Sequence, residues 1–291
     1  MATQGKVALV TGCSSGVGAE LAAHLAREGA KVYATLRNPS KADHLRQLIS
    51  GSATGSCTIL QLDVQDESSV SRAVEQVLRE SGRLDFLVNN AGFGSVRTLE
   101  QASWAQIQEI MDVNFYGALR CIRAVLPGMR AQKSGHIVSI SSVGGLVGQP
   151  LNEIYCAAKF ALEGLVESLA TYLEPYFGIR MSLVEPAGIK TEFVNRVLTD
   201  LQREKAPLQE VYGPVLNHYV AQSQKRGAFD NGAQTPAQVA EVVVNLLKAE
   251  TAPLRTQTSP AAKVFAAEKL QADPTGEILQ KRIRRDLLGI D

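Results

Sequence analysis

Val7-Ala-Leu-Val10 is a short apolar run, and Thr11-Gly-Cys-Ser-Ser-Gly-Val-Gly18 follows it directly. In the next stretch, Gly16–Arg27, apolar residues recur every four positions, which is the spacing of one face of a helix. A second strand-like run, Val32–Leu36, comes after it. This order of strand, glycine-rich turn, helix and strand predicts the opening of an α/β domain that binds a nucleotide.

The glycine-rich turn is the part of this opening that would contact the ligand. Gly12 permits a tight turn, Gly16 lets backbone N–H groups approach a pyrophosphate, and Gly18 lets the helix pack close to the sheet. The turn itself contains no Lys followed by Ser or Thr, so it is not a Walker loop. A glycine-rich turn that binds nothing is the alternative. The predicted dinucleotide contacts are Gly12, Ser14, Ser15, Gly16, Val17 and Gly18.

Strands and helices alternate through most of the chain, which predicts an α/β fold with a doubly wound parallel sheet of the Rossmann type. No linker or repeat interrupts residues 1–291, so we expect a single domain. A long helix is predicted from Trp104 to Arg130, with a break near Pro127-Gly128. The other predicted strands are Thr58–Leu62, Phe86–Val88, His136–Ile140, Ile179–Val184 and Pro253–Ser259, and the other predicted helices include Glu67–Glu80, Ile154–Leu173 and Pro274–Leu288.

The character of the sequence changes after Gly188. Glu192–Leu201 has apolar residues on one helical face, and 202–231 is polar without strong periodicity. Long segments of this kind are often lids or binding loops. A clear helix returns with Thr235 as its N-cap and Pro236 at its first position. The chain is therefore expected to divide into a nucleotide-binding and catalytic core at 1–186, a helical substrate lid at 187–235, and closing helices with a C-terminal tail at 236–291.

The composition is typical of a soluble globular protein, with 45% hydrophobic and 20% charged residues. The net charge of +1 does not suggest a polyanion-binding protein. No apolar run is long enough to span a membrane and no signal peptide is evident, so we expect a cytoplasmic protein. The basic run Lys281–Arg285 predicts a solvated helix face, with contact to an anionic membrane surface as the alternative. The four cysteines and four histidines are scattered, which predicts reduced thiols and no metal site.

The end of the second strand bears on the choice of cofactor. An acidic residue there would bind the ribose hydroxyls of NAD, but this strand ends with Arg37. Arg37 can pair with the 2′-phosphate of NADP, so NADP(H) is the predicted cofactor, and a solvated surface arginine is the alternative. Asp63, directly after the third strand, would meet the adenine edge unless it only caps a turn.

Tyr155 and Lys159 lie one turn apart on the same face of a predicted helix. A cation about 4 Å from the phenol would contribute roughly 4 kcal/mol at an effective dielectric constant of 20, which would lower the pKa of the tyrosine by about three units. Ser142 follows the fifth strand, at the sheet edge where ligands bind, and would orient a carbonyl or alcohol oxygen. These residues predict proton transfer by Tyr155, although tyrosine and lysine also occur four apart by chance.

Five motifs in this order resemble those of the short-chain dehydrogenase/reductase family. They are Thr11–Gly18, Asn89-Asn-Ala-Gly92, Asn114, Ser142 and Tyr155-Cys-Ala-Ala-Lys159. The resemblance implies that Asn114 joins the catalytic residues and holds a water that relays protons to Lys159. It also implies that Lys159 binds the nicotinamide ribose. The further cofactor contacts that it implies are Val64, Asn90, Ala91, Gly92, Ile189 and Thr191.

Further motifs resemble the branch of that family that holds estradiol 17β-dehydrogenase and photoreceptor retinol dehydrogenase. They include Leu126-Pro-Gly-Met129, Lys159-Phe-Ala-Leu-Glu-Gly164, Val184-Glu-Pro186, Pro253-Leu-Arg255 and Asp273-Pro-Thr-Gly276. The branch implies a lipophilic steroid or retinoid substrate. It also implies a homodimer in which Trp104–Arg130 and Ile154–Leu173 pair with their copies across a two-fold axis.

The chain departs from this branch at its substrate site. Steroid-binding members have a lid histidine and a last-helix glutamate where this chain has Gln224 and Asp286, although His218 can substitute through a shifted lid. Gln149 replaces an apolar residue, and no tail cysteine for lipid attachment follows Cys156. The usual Pro-Gly after the sixth strand is Glu185-Pro-Ala-Gly188, so the nicotinamide loop is slightly altered. The predicted substrate contacts are Ser142, Val143, Gln149, Tyr155 and Phe193, with an apolar wall of Leu146, Val147, Phe193, Val194 and Val197.

The sequence therefore predicts an NADP(H)-dependent oxidoreductase that interconverts a hydroxyl and a carbonyl on a lipophilic substrate. Hydride would pass between the nicotinamide and the substrate carbon while Tyr155 moves the proton. A nucleotide-sensing or scaffold protein of the same fold is the alternative, although loss of a catalytic side chain would be its signature. A nucleotide-sugar epimerase or dehydratase fits less well, because those relatives have a different glycine spacing and a longer C-terminal substrate domain.

Overall fold

One parallel sheet organises the part of the chain described by this computed structural model, which comprises residues 3–50, 54–94, 96–190, 211–215, 217–218, 234–271, 273–278 and 281. Its strands are β1 (Val7–Val10), β2 (Lys31–Leu36), β3 (Ser56–Gln61), β4 (Phe86–Asn89), β5 (Gly135–Ile140), β6 (Ile179–Glu185) and β7 (Arg255–Gln257). The seven strands lie in the order β3-β2-β1-β4-β5-β6-β7, and all neighbours are parallel.

The sheet is doubly wound, as the sequence predicts. The chain starts in the middle at β1, moves outward to β3, returns to the middle at β4 and moves outward to β7. The carboxyl ends of all these strands meet at one edge. The strand order reverses between β1 and β4, and a crevice opens at such a switch point in parallel α/β sheets. The segments that follow β1 and β4 therefore come together there.

Helices cover both faces of the sheet. They are α1 (Gly16–Arg27), α2 (Asp43–Ile49), α3 (Glu67–Ser81), α4 (Trp104–Met111), α5 (Gly117–Gln132), α6 (Glu153–Phe177), α7 (Pro236–Lys248) and α8 (Pro260–Leu270). The first face packs against α3, α5 and α6, and the second against α1, α2 and α7. β1 serves both cores, because Val7 and Leu9 point to the first and Ala8 and Val10 to the second. Burial on both faces explains why β1 is apolar throughout.

The break predicted near Pro127-Gly128 is wrong. α5 continues through Pro127 to Gln132, and the irregularity lies earlier, in a π-helical turn at Asp112–Tyr116 that joins α4 to α5. Pro127 and Arg123 are both exposed, so water can satisfy the Arg123 carbonyl that the missing N–H of Pro127 leaves free. A proline on the solvent side of a helix therefore does not end it here.

The C-terminal part differs in detail from the sequence prediction. β7 is shorter than the predicted strand Pro253–Ser259, and α8, capped by the Ser259 side chain, was not predicted. The predicted cap of α7 is confirmed, with Thr235 and Gln238 forming a reciprocal capping box. Glu192–Leu201 and most of Pro274–Leu288 lie outside the described residues. Among the described helices, none is both long and apolar enough to cross a lipid bilayer.

Candidate active site

The glycine-rich turn after β1 lies at the carboxyl edge of the sheet and has no room for side chains. Gly12 has a φ of 72°, and a Cβ atom there would lie 2.8 Å from the Cα of Ala91. A Cβ atom on Gly18 would lie 2.5 Å from the carbonyl oxygen of Gly12. Real Cβ atoms do not approach backbone this closely. The turn thus forms an open cradle of backbone only because these positions are glycine.

The first turn of α1 leaves its backbone donors available. Ser15 is the N-cap, but its side chain makes no capping hydrogen bond. This described turn also has no acidic side chain. Free N–H groups at a helix N-terminus favour an anion. The cradle and the uncapped helix together fit the pyrophosphate of a dinucleotide.

The segment after β4 braces the cradle. The Oγ1 atom of Thr11 accepts hydrogen bonds from the N–H groups of Asn90 and Ala91, each at 3.0 Å. The Asn90 side chain donates back to the carbonyl oxygens of Thr11 at 2.8 Å and Gly12 at 3.0 Å. Asn90 therefore supports the turn with its side chain. Ala91 packs closely on the cradle, and Gly92 continues toward the catalytic residues.

A cleft of about 450 Å³ lies at the end of β2 and β3, where the adenosine end of a dinucleotide would extend. Arg37 is exposed at its rim, and no ion pair joins it to another described residue. Asp63 also lines the cleft while its Oδ1 atom accepts from the N–H of Gln65 at 3.1 Å, so its turn-capping role is present as well. The full lining is Arg37, Leu60, Gln61, Asp63, Asp66, Ser69, Arg72, Ala73 and Gln76.

Val64 is a buried neighbour of this cleft and of the π-helical turn. A Cβ atom on Gly117 would lie 2.8 Å from the side chain of Val64, so glycine is needed for this contact. Arg120 donates to the carbonyl oxygen of Val64 at 3.0 Å and also binds Asp112 at 2.7 Å. Gln65 donates to the other oxygen of Asp112. The loop after β3 is thereby tied to the turn that carries Asn114.

Ser142, Tyr155 and Lys159 come together at the carboxyl end of β5. The Ser142 hydroxyl accepts from the N–H of Gly144 at 3.0 Å, which fixes the short turn Val143–Gly145, and it hydrogen-bonds the Tyr155 hydroxyl. Lys159 Nζ lies 5.6 Å from the centre of the Tyr155 ring and donates to the carbonyl oxygen of Ile140 at 2.9 Å. The predicted cluster is therefore present in the fold.

The expected effect of Lys159 on Tyr155 is wrong for the protein alone. Burial raises the pKa of Tyr155 to about 12, and the hydrogen bond with Ser142 opposes that rise only in part. Burial also lowers the pKa of Lys159 to about 8, against the charge of Glu163. The low dielectric of the site penalises both charged forms, so proximity of the lysine does not suffice to ionise the phenol.

Asn114 lies in the π-helical turn and faces the same site. Its side-chain amide donates to the carbonyl oxygens of Phe93 at 2.8 Å and Ile110 at 2.9 Å, and its Oδ1 atom is buried without a hydrogen bond from the described residues. A Cβ atom on Gly92 would lie 2.7 Å from this oxygen and 3.6 Å from Lys159 Nζ. An acceptor without a donor thus sits close to the lysine, as a water-binding role requires.

The substrate side of the site is described in part. Val143 and Leu146 are buried, and Val147 and Gln149 are half-buried. A Cβ atom on Gly144 would lie 3.3 Å from Ser142 Oγ and 3.5 Å from Gln149 Nε2, so the Gln149 amide lies beside the Ser142 turn. Ile189 forms a bridge with Gln234, and His218 is exposed. Thr191, Phe193, Val194, Val197, Gln224 and Asp286 lie outside the described residues.

One set of polar residues near the site was missed from the sequence. Glu163, Glu185 and Arg255 are buried side chains from three separate elements, and they meet behind Lys159. The position of Glu163 four residues after Lys159 was a signal for this contact. Only the sheet, however, brings Arg255 beside it.

The family model for short chain dehydrogenase matches residues 6–202. The chain belongs to the short-chain dehydrogenase family. This family consists of oxidoreductases that use nicotinamide cofactors, and the glycine cradle and the uncapped helix described above fit such a group.

Named members of the family confirm the predicted branch. The chain is 41% identical over 266 residues to retinol dehydrogenase 8 of Homo sapiens, covering 89% of this chain and 83% of the relative. It is 39% identical over 290 residues to 17-beta-hydroxysteroid dehydrogenase type 1 of Homo sapiens, covering 97% of this chain and 86% of the relative.

Solved structures of the family confirm the fold. A short chain dehydrogenase/reductase from Burkholderia phymatum in complex with NAD matches with a TM-score of 0.76 and 26% identity, covering 94% of this chain and 98% of that one. A metagenomic short-chain oxidoreductase in complex with NADP matches with a TM-score of 0.68 and 26% identity, covering 88% and 98%. Structures similar to this chain therefore bind either cofactor.

Proposed function

We propose that this chain is an NADP(H)-dependent oxidoreductase that interconverts a hydroxyl and a carbonyl on a lipophilic substrate, with Tyr155 as general acid and base. The observation that carries the proposal is the meeting of Ser142, Tyr155 and Lys159 at the sheet edge, next to the glycine cradle. These three residues carry the proton-transfer step itself. Asn114, in the π-helical turn, is the fourth residue of the proposed catalytic group.

The residues present fit a dinucleotide. The cradle from Gly12 to Gly18 would hold the pyrophosphate, and Lys159 would bind the nicotinamide ribose. The nicotinamide, when bound, supplies or accepts the hydride. Arg37 supports NADP(H) over NAD(H), because its guanidinium lines the adenosine cleft without an ion pair to any described residue, and no carboxylate ends β2.

The protonation state of Tyr155 suits the reduction of a carbonyl. With a pKa of about 12, the phenol keeps its proton at neutral pH and can donate it to the developing alkoxide oxygen. Ser142 would hold that oxygen through a hydrogen bond. Lys159 would stabilise the phenolate that remains, and a water on the free Oδ1 atom of Asn114 would return a proton by way of Lys159.

Two observations support a lipophilic substrate. Val143 and Val147 follow Ser142 closely in the chain as apolar residues, of which Val147 is half-buried, and ligand pockets are mostly apolar with few polar anchors. The relatives named above are a retinol dehydrogenase and a hydroxysteroid dehydrogenase. We infer a steroid or a retinoid as the substrate class. Gln149, half-buried beside the Ser142 turn, would add a polar contact to this wall.

We also infer a homodimer built on α4, α5 and α6. These elements and the turn between them carry large exposed apolar side chains in Trp104, Tyr116, Tyr172 and Tyr176, of which Trp104 is 78% exposed. We infer that these side chains form one patch that a second copy covers, because large exposed apolar patches mark association sites.

The testing experiment is a screen of NADPH and NADH oxidation against steroid ketones, retinal and short aliphatic carbonyls. The expected result is faster reduction of a bulky lipophilic carbonyl than of a short polar one, with NADPH preferred. Equal kcat/KM with both cofactors would refute the NADP(H) assignment, and no turnover of any carbonyl would refute the activity. Because Gln224 and Asp286 stand where steroid-binding members have a histidine and a glutamate, we expect weak discrimination among steroids at the far end of the ligand. Estrone reduction that strongly rejects steroids without a 3-hydroxyl would contradict this expectation.

A further inference from the structure

A buried group of charged side chains lies behind the proposed catalytic residues. Glu163 follows Lys159 by one turn of α6, Glu185 ends β6, and Arg255 begins β7. The side chains of Arg255, Glu163 and Glu185 are 8%, 6% and 0% exposed. Arg255 Nε lies 3.2 Å from Glu163 Oε2 and 3.5 Å from Glu185 Oε1. One guanidinium thus holds carboxyls from two different elements.

Hydrogen bonds satisfy only some of the carboxyl oxygens in this group. Gln257 Nε2 donates to Glu185 Oε2 at 2.5 Å, and Arg255 donates to Glu167 Oε2 at 2.7 Å. The Oε1 atoms of Glu163 and Glu185 are buried without an ordinary hydrogen bond from the described residues. Both carboxyls approach the same Arg255 Nε atom, which places them beside each other. Only a carboxyl that keeps its proton can donate to the other.

The surrounding charges favour one retained proton. Lys159 and Glu167 face the pair from α6, and Arg255 faces it from β7. The turn at 273–278 packs on Arg255 through Gly276 and carries the carboxylates of Asp273 and Glu277. The described segment 141–145 adds only the hydroxyls of Ser141 and Ser142. Two neighbouring carboxylates out of water raise each other's pKa, which favours one retained proton at neutral pH.

The pKa values agree with this geometry. Burial, followed by the charge of Glu163, raises the pKa of Glu185 to about 8. Burial likewise raises the pKa of Glu163 above its ordinary value. The pair therefore titrates as a unit above the usual range of a carboxylic acid.

The pair packs directly under the turn that carries Ser142. A Cβ atom on Gly145 would lie 2.7 Å from Ser141 Oγ and 2.9 Å from Glu163 Cγ, so the turn rests on Glu163 without a gap. The same turn is fixed by the hydrogen bond from Gly144 to Ser142. Any movement of Glu163 is therefore transmitted to Ser142.

We propose that Glu163 and Glu185 share one proton and act as positioning residues, which together with Arg255 hold the Ser142 turn against the turn of α6 that carries Lys159. The catalytic meaning of this inference rests on the proposed function, whereas the shared proton and the rigidity of the turn are properties of the protein itself. Loss of the proton leaves two buried carboxylates beside each other, and their repulsion would separate α6 from β6 beneath Ser142.

The shared proton is tested by comparing the wild type with Glu185→Gln and with Glu167→Gln, a control that removes another carboxylate bound to Arg255. When the pKa of a carboxyl is higher in the folded than in the unfolded protein, the folded protein loses stability as the pH rises from the unfolded pKa through the folded pKa. Between pH 6.5 and 8 the wild-type folding constant should therefore fall by up to about tenfold per pH unit. Glu185→Gln should remove this fall and the infrared C=O band of a protonated carboxyl, and Glu167→Gln should keep both. An unchanged profile and band in Glu185→Gln would overturn the proposal.

The positioning role is tested by Glu185→Ala, with Glu185→Gln as the conservative rescue. Amide hydrogen exchange of residues 142–146 should be at least tenfold faster in Glu185→Ala than in the wild type, and Glu185→Gln should restore most of the protection. In the active enzyme kcat should fall in Glu185→Ala with little change in the Kd of the cofactor. Equal exchange in the two variants would overturn the positioning role. If the variants show these exchange differences but the wild type reduces no carbonyl, only the proposed function is contradicted.

Discussion

Tyr155 and Lys159 show how burial outweighs proximity at the scale of single residues. The lysine lies near the phenol ring, but its ammonium group donates to the carbonyl oxygen of Ile140. Burial raises the pKa of Tyr155 to about 12 and lowers that of Lys159 to about 8, so the two pKa values move apart and their usual order is reversed. A neutral phenol beside a lysine that titrates near pH 8 is an arrangement suited to donating a proton.

Tyr155→Phe should abolish turnover while the cofactor still binds. The ring remains in place, but no proton can be transferred, and loss of a general acid typically costs about 10²- to 10⁴-fold in rate. The measurement is kcat together with the Kd of NADPH. Tyr172→Phe, an exposed tyrosine on the same helix, serves as the control and should keep its activity. Activity of Tyr155→Phe within a few-fold of the wild type would assign the proton to another group.

Arg37→Asp should reverse the cofactor preference. The guanidinium contact with a 2′-phosphate is worth roughly 1.5–3 kcal/mol, which corresponds to about tenfold or more in affinity. Aspartate would repel the phosphate and bind the ribose hydroxyls of NAD. The measurement is kcat/KM for NADPH and NADH.

Two further variants locate the effect at Arg37. Arg37→Gln should weaken the preference without reversing it. Arg72→Gln, which changes the second arginine of the same cleft and breaks its 3.7 Å pair with Asp66, should leave the preference unchanged. A preference for NADPH that survives Arg37→Asp would contradict the assignment.

At the scale of elements, the π-helical turn Asp112–Tyr116 places Asn114. A π-helical turn contains an extra residue relative to an α-helical turn, and such insertions are frequent at functional sites. The wider turn lets the Asn114 amide donate to Ile110 of α4 and to Phe93 of the segment after β4 at once. The free Oδ1 atom is thereby held near Lys159.

Gly18→Ala should disable the first turn of α1, because the added methyl group would strike the carbonyl oxygen of Gly12. Backbone on both sides cannot move without opening the cradle. We expect a loss of about 1–3 kcal/mol in stability and a large loss of cofactor affinity, measured by denaturant unfolding and by titration with NADPH.

Gly164→Ala, in a different helix, is the control for Gly18→Ala. Gly164 lies within α6, and a methyl group there meets nothing within 4 Å. Alanine in a helix interior is favoured over glycine, so this variant should be neutral or more stable by up to about 1 kcal/mol. Equal behaviour of the two variants would mean that close packing at Gly18 is unimportant.

At the scale of the whole molecule, His136 makes the stability of the fold depend on pH. Its Nε2 atom lies 2.9 Å from Ser182 Oγ, which itself donates to the carbonyl oxygen of Pro253, so Nε2 carries the proton. Nδ1 is buried with no acceptor nearby among the described residues. Burial, helped by the charge of Arg180, lowers the pKa of His136 to about 3.

His136→Gln should flatten the acid side of the stability curve. Below pH 6.5, His136 binds a proton in the unfolded protein but stays neutral in the folded protein. The folded protein therefore loses stability as the pH decreases from about 6.5 toward 3. The slope from this one group is about 1.4 kcal/mol per pH unit. The variant should lose that slope in unfolding measurements at stepped pH. His44→Gln, at an exposed position, should keep it; equal slopes in the wild type and His136→Gln would contradict the prediction.

The chain should form a homodimer at micromolar concentration. The exposed side chains of Trp104, Tyr172 and Tyr176 would be covered by the second copy, since a two-fold interface presents the same helices twice. Light scattering checks the mass. Trp104→Glu should shift it toward the monomer, whereas Val264→Glu, a 75% exposed position on α8, should not. A monomeric wild type would count against the proposed interface.

Much of this protein was predicted from local sequence signals. The glycine spacing of the first turn, the strand and helix order and the cap at Thr235 depend on neighbours within a few residues, where backbone conformation and periodicity are strong constraints. The helix α8 was not predicted, although Ser259-Pro260 is an ordinary helix start. The family resemblance added Asn114 to the predicted catalytic residues.

The protonation state of each buried charged group depends on the tertiary structure. The sequence suggested a lysine that lowers the pKa of Tyr155, but desolvation depends on what packs around both side chains and has no local signature. In the sequence, Glu163, Glu185 and Arg255 are up to 92 positions apart. Only the pairing of β6 with β7 against α6 brings them into one buried group. Local sequence determines the elements because backbone interactions are short in range along the chain, whereas protonation depends on every neighbour that displaces water.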